Sequence, residues 1–234
     1  MHIKKTQMPV SWPVPRKGKR KRFIAIPSHA TSKGISLLFL LRDVLKIVKT
    51  RKEARYMVLN GMVKVNNQMR KDENFPVQVF DTLTLGKSVT KNVSADVSEL
   101  NYKLEIVNKK FSLVEISAKD AGKKIVKING KKILGKEKIQ MNLEDGQNFI
   151  TKEKFSVGDS VLINTKEKKI VKILPLKKGA KVEIILGKHA GKKGELIGFE
   201  ELIRGRNYEI KLNKIDELES KIVSLPYKTI LVIE

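Results

Sequence analysis

Cysteine is missing from all 234 residues of the chain, and histidine occurs only three times. Without cysteine the chain can form no disulfide bond, no thiolate metal site and no cysteine nucleophile. The histidines, His2, His29 and His189, are scattered and have no spacing that would bind a metal ion. We therefore expect neither a metal site nor a cofactor.

The chain also lacks a long apolar run. Near its start the longest one is Ile35 to Leu41, which is far shorter than the roughly 20 residues that a membrane-spanning helix needs. This run also begins too far from the N-terminus to be the apolar region of a signal peptide. These absences predict a soluble intracellular protein that does not contact a membrane.

Acidic residues are scarce where basic ones are dense. None precedes Asp43, although six of the seven positions from Arg16 to Arg22 are lysine or arginine. Over the whole chain 49 Lys and Arg residues face 25 Asp and Glu residues, which gives a net charge of +24 and a pI near 10.0. So positive a surface attracts a polyanion. Nucleic acid is the partner that this composition predicts.

The familiar catalytic signatures are absent as well. The loop from Gly187 to Gly194 is similar to a phosphate-cradling loop, but Gly187 and Gly191 are one residue too close. Lys193 also stands where a serine or threonine would hold magnesium. Most carboxylates lie among lysines, no pair is suited to acid–base catalysis, and no GxSxG segment occurs. We therefore predict that the protein is not an enzyme.

Residues 1–34 are expected to form an extended basic arm, because four prolines disfavour helix and no apolar periodicity is present. Such an arm becomes ordered along a phosphate backbone. Trp12, the only tryptophan, either stacks on a base or packs against a neighbouring domain. The RNA contacts expected from the arm are Lys4, Lys5, Trp12, Arg16, Lys17, Lys19, Arg20, Lys21 and Arg22.

Two helices are predicted after the arm. The first covers Ser36 to Val48, and its apolar residues occupy most of its surface, so it must be buried on at least two sides. Thr50 and Glu53 form a capping box that begins the second helix, and Asn60-Gly61 ends it. A strand from Met62 to Asn66 is expected to follow, with Val63 and Val65 inward and Lys64 outward.

The second helix separates apolar from basic side chains. Ala54, Met57 and Val58 recur at helical spacing and are expected to face inward. Basic side chains gather beside them near the helix start, where free N–H groups and the helix dipole favour an anion. We predict a phosphate-binding face here. Its expected RNA contacts, including those in the strand and turn that follow, are Arg51, Lys52, Arg55, Lys64, Asn66, Arg70 and Lys71.

Helix and strand positions of this region follow a pattern that is found in a known RNA-binding module. The residues of the pattern are Arg51, Ala54, Met57, Val58, Gly61, Val63, Val65 and Asn66. Together with Phe75 to Leu85, which contains Asp81 in the expected position, it resembles the small RNA-binding module first described in bacterial small-subunit ribosomal protein four. The same module occurs in tyrosyl-tRNA synthetases, pseudouridine synthases and heat-shock RNA binders. The resemblance covers Ser36 to Leu85, and Phe80 departs from it by standing where the family usually has glycine.

After Leu85 the sequence is typical of β-structure. Asn129-Gly130 predicts a two-residue hairpin turn, and Asp145-Gly146 predicts another turn. Phe155 to Ile163 has the pattern of a strand entered through a tight turn. We expect a small barrel from about Val93 to Leu174.

The last part of the chain contains a glycine-rich basic loop between two apolar strands. Gly187, Gly191 and Gly194 allow positive φ or a close backbone approach. The segment resembles the KOW motif, a strand–loop–strand element of SH3-like barrels in ribosomal proteins and transcription elongation factors. The loop residues expected to meet phosphate are Lys188, His189, Lys192 and Lys193.

The order of these parts resembles the archaeal and eukaryotic type of small-subunit ribosomal protein four over the entire chain. The resemblance implies an α+β multi-module fold: a basic extended arm, a helix-pair-plus-strands RNA-binding domain, a β-rich central barrel-like domain and a C-terminal SH3-like barrel carrying the KOW motif. The corresponding ranges are 1–34, 35–92, 93–174 and 175–234. The short region from Lys211 to Glu234 lacks a long basic tail and fits the archaeal type.

This resemblance implies a cytoplasmic ribosomal component. It would bind and stabilise small-subunit ribosomal RNA during assembly and translation, beside neighbouring small-subunit proteins. One copy per subunit and no homo-oligomer are expected.

Two other functions stay open at this point. A pseudouridine-synthase-like enzyme could share the RNA-binding module, but the catalytic Arg-Leu-Asp setting has only Gly205-Arg206-Asn207 as a counterpart. A transcription or translation factor that uses the KOW element would bind a protein, which the strong positive charge does not favour.

Overall fold

The computed structural model describes residues 2–16, 22–31, 33–86, 99–135, 138–202, 205–213 and 222–234. Within these residues the chain is mostly β-strand with little helix, as expected from the sequence. Residue contacts divide it into two compact units, Met1–Lys124 and Ile125–Glu234.

The first unit combines short helical segments with antiparallel strands. A one-turn helix α1 continues directly into a wider π-helical turn at Leu40–Val44, and short 3-10 turns lie at Lys5–Gln7 and Asp120–Gly122. The helices and strands of this unit are β1 (His2–Lys4), β2 (Phe23–Ala25), β3 (Gly34–Ser36), α1 (Leu37–Phe39), α2 (Arg51–Leu59), β4 (Val63–Val65), β5 (Gln68–Met69), β6 (Pro76–Gln78), β7 (Thr82–Leu85), β8 (Leu100–Val107) and β9 (Lys110–Glu115).

The main sheet of this unit has the order β5-β4-β7-β8-β9, and all of its pairings are antiparallel. Val63 and Val65 of β4 are fully buried while Lys64 is half-exposed, which confirms the predicted alternation. Strands β1 and β2 pair with each other, as do β3 and β6.

The apolar segment before α2 is buried as predicted, but it is helical over a shorter range. The five consecutive residues from Leu37 to Leu41 are each 2% exposed or less. The prediction of a helix as far as Val48 is wrong, because the helical backbone ends at Val44 and Lys46 has a left-handed φ of 57°. A non-glycine residue in that region does not continue a right-handed helix.

The expectation of a free, extended arm at the N-terminus also needs correction. Strand β1 pairs with β2, and Met8, Trp12 and Ile24 are 1%, 0% and 4% exposed. The Trp12 ring lies 5.5 Å from the ring of Phe39. Large apolar side chains supply the driving force that a purely polar arm would lack, so Met8, Trp12 and Ile24 belong to the core of their unit.

Phe80, which departs from the family pattern, adopts the backbone conformation that glycine would supply. Its φ is 66°, and its ring is only 4% exposed. The backbone N–H of Phe80 donates to the carbonyl of Leu104 over 2.7 Å. Burial and this hydrogen bond hold a residue in a region that aromatic side chains rarely occupy.

The second unit is built from strands, with one 3-10 turn at Tyr227–Thr229 among its described residues. Its first strand begins two residues before the unit boundary. The strands are β10 (Lys123–Ile133), β11 (Ile139–Leu143), β12 (Asn148–Thr151), β13 (Ser160–Asn164), β14 (Lys169–Leu174), β15 (Lys181–Ile184), β16 (Lys193–Leu202), β17 (Gly205–Leu212), β18 (Ile222–Pro226) and β19 (Ile230–Val232).

These strands form two five-stranded sheets, each with its own core. The first has the order β12-β11-β10-β13-β14, with Ile128, Met141 and Val161 fully buried. The second has the order β18-β17-β16-β15-β19, with Val182 and Ile210 fully buried.

The predicted hairpin at Asn129-Gly130 is wrong. Strand β10 runs straight through both residues, and a β-bulge lies between Ile128 and Gly130 where β10 pairs with β11. Neither residue has the positive φ that a two-residue hairpin turn of this kind requires. Glycine instead accommodates the irregularity, as it often does inside strands.

Two other turn predictions are confirmed. Asp145-Gly146 connects β11 to β12, with Gly146 at φ 87° and the Asp145 carboxylate accepting from the N–H of Gln147 over 3.1 Å. The tight turn before β13 has Gly158 at φ 101°.

Candidate nucleic-acid interface

Helix α2 has a well-defined start. The backbone N–H of Glu53 donates to the Thr50 hydroxyl over 3.3 Å, and the Glu53 carboxylate accepts from the N–H groups of Thr50 (3.4 Å) and Lys49 (2.8 Å). The Lys49 N–H, and then the Thr50 side chain, hold the pKa of the Glu53 carboxyl below its ordinary value. The predicted capping box is thus confirmed.

Helix α2 has a buried apolar face and an exposed basic face, as predicted. Ala54, Met57 and Val58 are buried, while the basic side chains near the helix start are exposed. Among the described residues, neither Lys52 nor Arg55 has an ion-pair partner in the structure. These two cations are therefore available to an external phosphate.

Arg51 is less free than the sequence suggested. Its guanidinium donates through Nε to Glu73 Oε1 over 2.8 Å and through Nη2 to the same oxygen. Glu73 raises the pKa of Arg51 through this hydrogen bond and through its charge. The Arg51 side chain is nevertheless 60% exposed, so an incoming phosphate could share it with Glu73.

Asn66 is not placed to contact RNA. It is 7% exposed, its amide donates to Asp81 Oδ1 over 2.9 Å, and its carbonyl oxygen accepts from the N–H of Thr82 over 3.0 Å. Asn66 and Asn67 have φ values of 52° and 60° in the turn between β4 and β5. The short amide side chain tolerates this conformation and bonds the neighbouring backbone, so its role is structural.

The other predicted contacts of this region lie at the surface to different extents. Lys64 is half-exposed and Lys71 is exposed. The guanidinium carbon of Arg70 lies 4.4 Å from the centre of the Phe75 ring, while its Nε is buried without a hydrogen-bond partner among the described residues. Stacking on Phe75 holds the Arg70 side chain against the protein.

Two of the RNA contacts predicted in the N-terminal segment are buried. Lys5 is only 9% exposed and Trp12 is fully buried, so in this structure neither can meet a phosphate or a base. Lys4 is exposed on β1, and Arg16 is exposed while its Nη2 donates to the Met8 carbonyl over 2.6 Å. Arg22 is exposed, with its guanidinium carbon 5.8 Å from the centre of the Phe23 ring. The predicted contacts Lys17, Lys19, Arg20 and Lys21 lie outside the described residues.

In the second unit, the loop between β15 and β16 has the backbone that its glycines predict. Gly187 and Gly191 have φ values of 95° and 84°. A Cβ on Gly194 would lie 2.4 Å from the backbone oxygen of Lys211, so no other residue fits there. The loop presents Lys188 and Lys193 as exposed side chains and His189 and Lys192 as half-exposed ones.

Sequence reasoning missed two buried lysines. Lys124 forms an ion pair with Asp81 at 2.7 Å, and both side chains are 4% exposed. Lys127 donates to the carbonyls of Tyr227 and Ile230, the latter over 2.9 Å, and lies 4.8 Å from the centre of the Tyr227 ring. Both lysines belong to a basic stretch, AGKKIVKI, in which nothing distinguishes them from surface cations.

No metal centre can be assembled from the part of the chain that the structure describes, since no three His, Asp or Glu side chains cluster there. Nor is any helix among those residues both long and apolar enough to cross a bilayer.

Comparisons with known proteins agree with this arrangement. Residues 40–83 match the family model described as S4 domain, and residues 100–170 match the one described as Ribosomal family S4e. The first match contains α2, the strands β4 to β6 and the start of β7, and the second begins with β8.

The chain is similar to whole proteins as well. It is 30% identical over 231 residues to small ribosomal subunit protein eS4 of Pyrobaculum aerophilum, covering 96% of this chain and 93% of the relative. It is 33% identical over 199 residues to the protein of the same name from Methanocella arvoryzae, covering 83% and 79%. The crystal structure of the 30S ribosomal protein S4e from Thermoplasma acidophilum superposes with a TM-score of 0.66 at 24% identity, covering 86% of this chain and 95% of that one.

Proposed function

This chain belongs to the small ribosomal subunit protein eS4 family, and from that premise we propose that it is a structural constituent of the small ribosomal subunit. It binds small-subunit ribosomal RNA in the cytoplasm, beside neighbouring ribosomal proteins, and carries out no chemistry of its own. Each subunit holds one copy. The observation that carries the proposal is an S4 domain with exposed cations on the capped helix α2, in a chain of net charge +24.

We propose that binding is dominated by phosphate neutralisation. The contacts in the first unit are Lys4, Arg16, Arg22, Arg51, Lys52, Arg55, Lys64, Arg70 and Lys71, joined by the basic run that includes Lys17, Lys19, Arg20 and Lys21. Because the major groove of A-form RNA is too deep and narrow for side chains to read, specificity comes from RNA shape and from unpaired nucleotides.

The second unit supplies a further contact in this proposal. The sheet β18-β17-β16-β15-β19 is an SH3-like barrel, and its basic loop carries Lys188, His189, Lys192 and Lys193 toward phosphate. The strands β10 to β14 lie within the central β-rich domain, residues 93–174, that the sequence predicts. Joining weak modules on one chain raises the affinity of the whole, since each later contact becomes intramolecular.

Sedimentation of a cell lysate tests the proposal. The protein should migrate with small ribosomal subunits at moderate salt and be released as salt rises. Migration with RNA polymerase, or with free proteins only, would contradict a ribosomal role. An RNA-modifying enzyme would instead convert a base in transcribed ribosomal RNA, which nucleoside analysis after incubation would detect.

A further inference from the structure

A cleft of about 180 Å³ lies in the first unit between the paired strands β1 and β2 and the start of α2. Its apolar lining is provided by Phe23, Ile24, Ala25 and Leu38, and its polar lining by His2, Arg42, Arg51 and Asn74. The volume is below the roughly 300 Å³ of sites that enclose a drug-sized ligand. It suits a single planar ring.

Two aromatic side chains, Phe23 and His2, line this cleft and contact each other. Phe23 is 49% exposed, and the His2 ring packs edge-on against it with the ring centres 4.8 Å apart. The antiparallel register places Lys4 directly opposite Phe23, so a cation lies on the same face as the exposed ring. Arg22 adds a second cation 5.8 Å from the centre of the Phe23 ring.

Inside the cleft, by contrast, positive charge is largely compensated. Arg42 donates to Asp43 through two hydrogen bonds of 3.0 and 2.7 Å, and Arg51 is bonded to Glu73. A phosphate entering the cleft would have to share each guanidinium with the carboxylate already bonded to it. A neutral ring would not, and the flat face of a guanidinium is itself a stacking surface.

Asn74 supplies a group that can read such a ring. Its backbone is fixed from both sides, because its N–H donates to the Asp72 carboxylate over 2.8 Å and its carbonyl accepts from the N–H of Ser28 over 2.8 Å. The side-chain amide carries two N–H donors and a carbonyl acceptor. The edge of a nucleobase likewise carries both hydrogen-bond donors and acceptors.

We propose that this cleft receives one unstacked base of the bound RNA. The base stacks on the exposed Phe23 ring beside His2, which packs edge-on against that ring. Its edge meets Asn74, and its phosphate lies outside, near Lys4 and Arg22. The inference rests on the proposed function, since the base belongs to the same ribosomal RNA. The base adds a contact to one nucleotide that does not depend on the shape of the RNA. The other proposed contacts are made to phosphates.

Two substitutions in the full-length chain test the proposal, with a full-length small-subunit ribosomal RNA transcript as the probe. Phe23→Leu keeps an apolar side chain but removes the stacking ring. Ala25→Leu fills the cleft without removing any cation or ring. Phe199→Leu is the matched control, because Phe199 is 47% exposed and lies 5.1 Å from the Arg206 guanidinium in the other unit.

Loss of one stacked base should weaken binding about tenfold in Phe23→Leu and Ala25→Leu. The slope of log affinity against log salt should not change, because no charge is lost. Ultraviolet cross-linking followed by mass spectrometry should attach a single nucleotide to Phe23 or His2 in the wild type and in Phe199→Leu. Unchanged melting temperatures would show that the variants are folded; a cleft variant that melts early is judged by the wild-type cross-link alone.

Three results would overturn the inference. They are wild-type affinity in Phe23→Leu, cross-links that avoid the cleft, and attachment of Phe23 to a neighbouring protein in whole subunits. In each of these the wild type still binds the transcript, so the proposed function survives. If the wild type does not bind, the proposed function fails and the inference fails with it.

Discussion

Asp81 is a buried carboxylate that bonds to three other residues. It pairs with Lys124 at 2.7 Å, accepts from the Asn66 amide over 2.9 Å, and accepts from the N–H of Gln78 over 2.8 Å. Both members of the ion pair are 4% exposed. A buried charge is tolerated only when such partners replace its lost hydration.

Replacing Asp81 by alanine should therefore destabilise the protein strongly, because it leaves the Lys124 ammonium buried without its carboxylate. We expect a loss of about 3–5 kcal/mol in the free energy of unfolding, measured by urea denaturation. Asp120→Ala is the matched control, since Asp120 is 4.0 Å from Lys123 and both side chains are more than half exposed. Equal effects of the two substitutions would contradict a structural role for Asp81.

The burial of single residues could be predicted from the sequence at some positions and not at others. Asp81 was expected as a feature of the module, and Ala54, Met57 and Val58 were correctly placed in the core, because helical spacing alone determines their face. Lys124 could not be distinguished from its neighbour Lys123. Whether a lysine is buried depends on which carboxylate a distant strand brings to it, and periodicity carries no such information.

At the scale of elements, the capping box of α2 makes the helix start sensitive to acid. Because the folded-state pKa of Glu53 is lowered, its contribution to stability is present above about pH 4.3. That contribution is lost as the pH falls through the lowered folded value. We predict that the amide resonances of Lys49 and Thr50 titrate with a midpoint below the ordinary glutamate value. In Glu53→Gln this titration should vanish; a midpoint at or above the ordinary value would contradict the hydrogen bonds seen here.

The N-terminal segment gives a second prediction at this scale. Trp12 is fully buried and lies against Phe39, so Trp12→Ala should cost about 3–5 kcal/mol of stability. Deleting residues 1–34 should likewise lower the melting temperature of the remaining chain, which calorimetry would measure. Val10→Ala serves as the control because Val10 is 67% exposed. A truncated chain as stable as the full one would show that the segment is only an arm.

Element boundaries were predictable where local chemistry decides them. The capping box, the turn at Asp145-Gly146 and the strand β4 follow from neighbouring residues alone. Asn129-Gly130 misled because β10 continues through both residues and pairs with β11 from Ile128 to Ile133 instead of turning there. The N-terminal segment misled because its apolar residues show no period, although Met8, Trp12 and Ile24 are buried in the core.

At the scale of the whole molecule, the excess of positive charge was evident from composition, but its placement was not. Lys52 and Arg55 are exposed on α2, whereas Lys5, Lys124 and Lys127 are buried. Only the fold determines which cations reach the surface. The proposed RNA contacts are accordingly a subset of the basic residues in each segment.

The double variant Lys52→Ala with Arg55→Ala should weaken binding to small-subunit ribosomal RNA and flatten its salt dependence. Each lost phosphate contact reduces the slope of log affinity against log salt by about 1, so we expect a reduction of about 2. Lys177→Ala with Lys178→Ala removes the same charge from an exposed turn and should change the slope less. Equal reductions would mean that net charge, and not the α2 face, determines binding.

The central claim is that this protein holds folded ribosomal RNA through its phosphates. Its most direct test is the affinity of the full-length chain for small-subunit ribosomal RNA as a function of salt. If about 6–10 phosphates are neutralised, affinity should fall by about 10³–10⁵ between about 50 and 200 mM salt. An affinity that stays constant over this range, or no binding at low salt, would contradict the account.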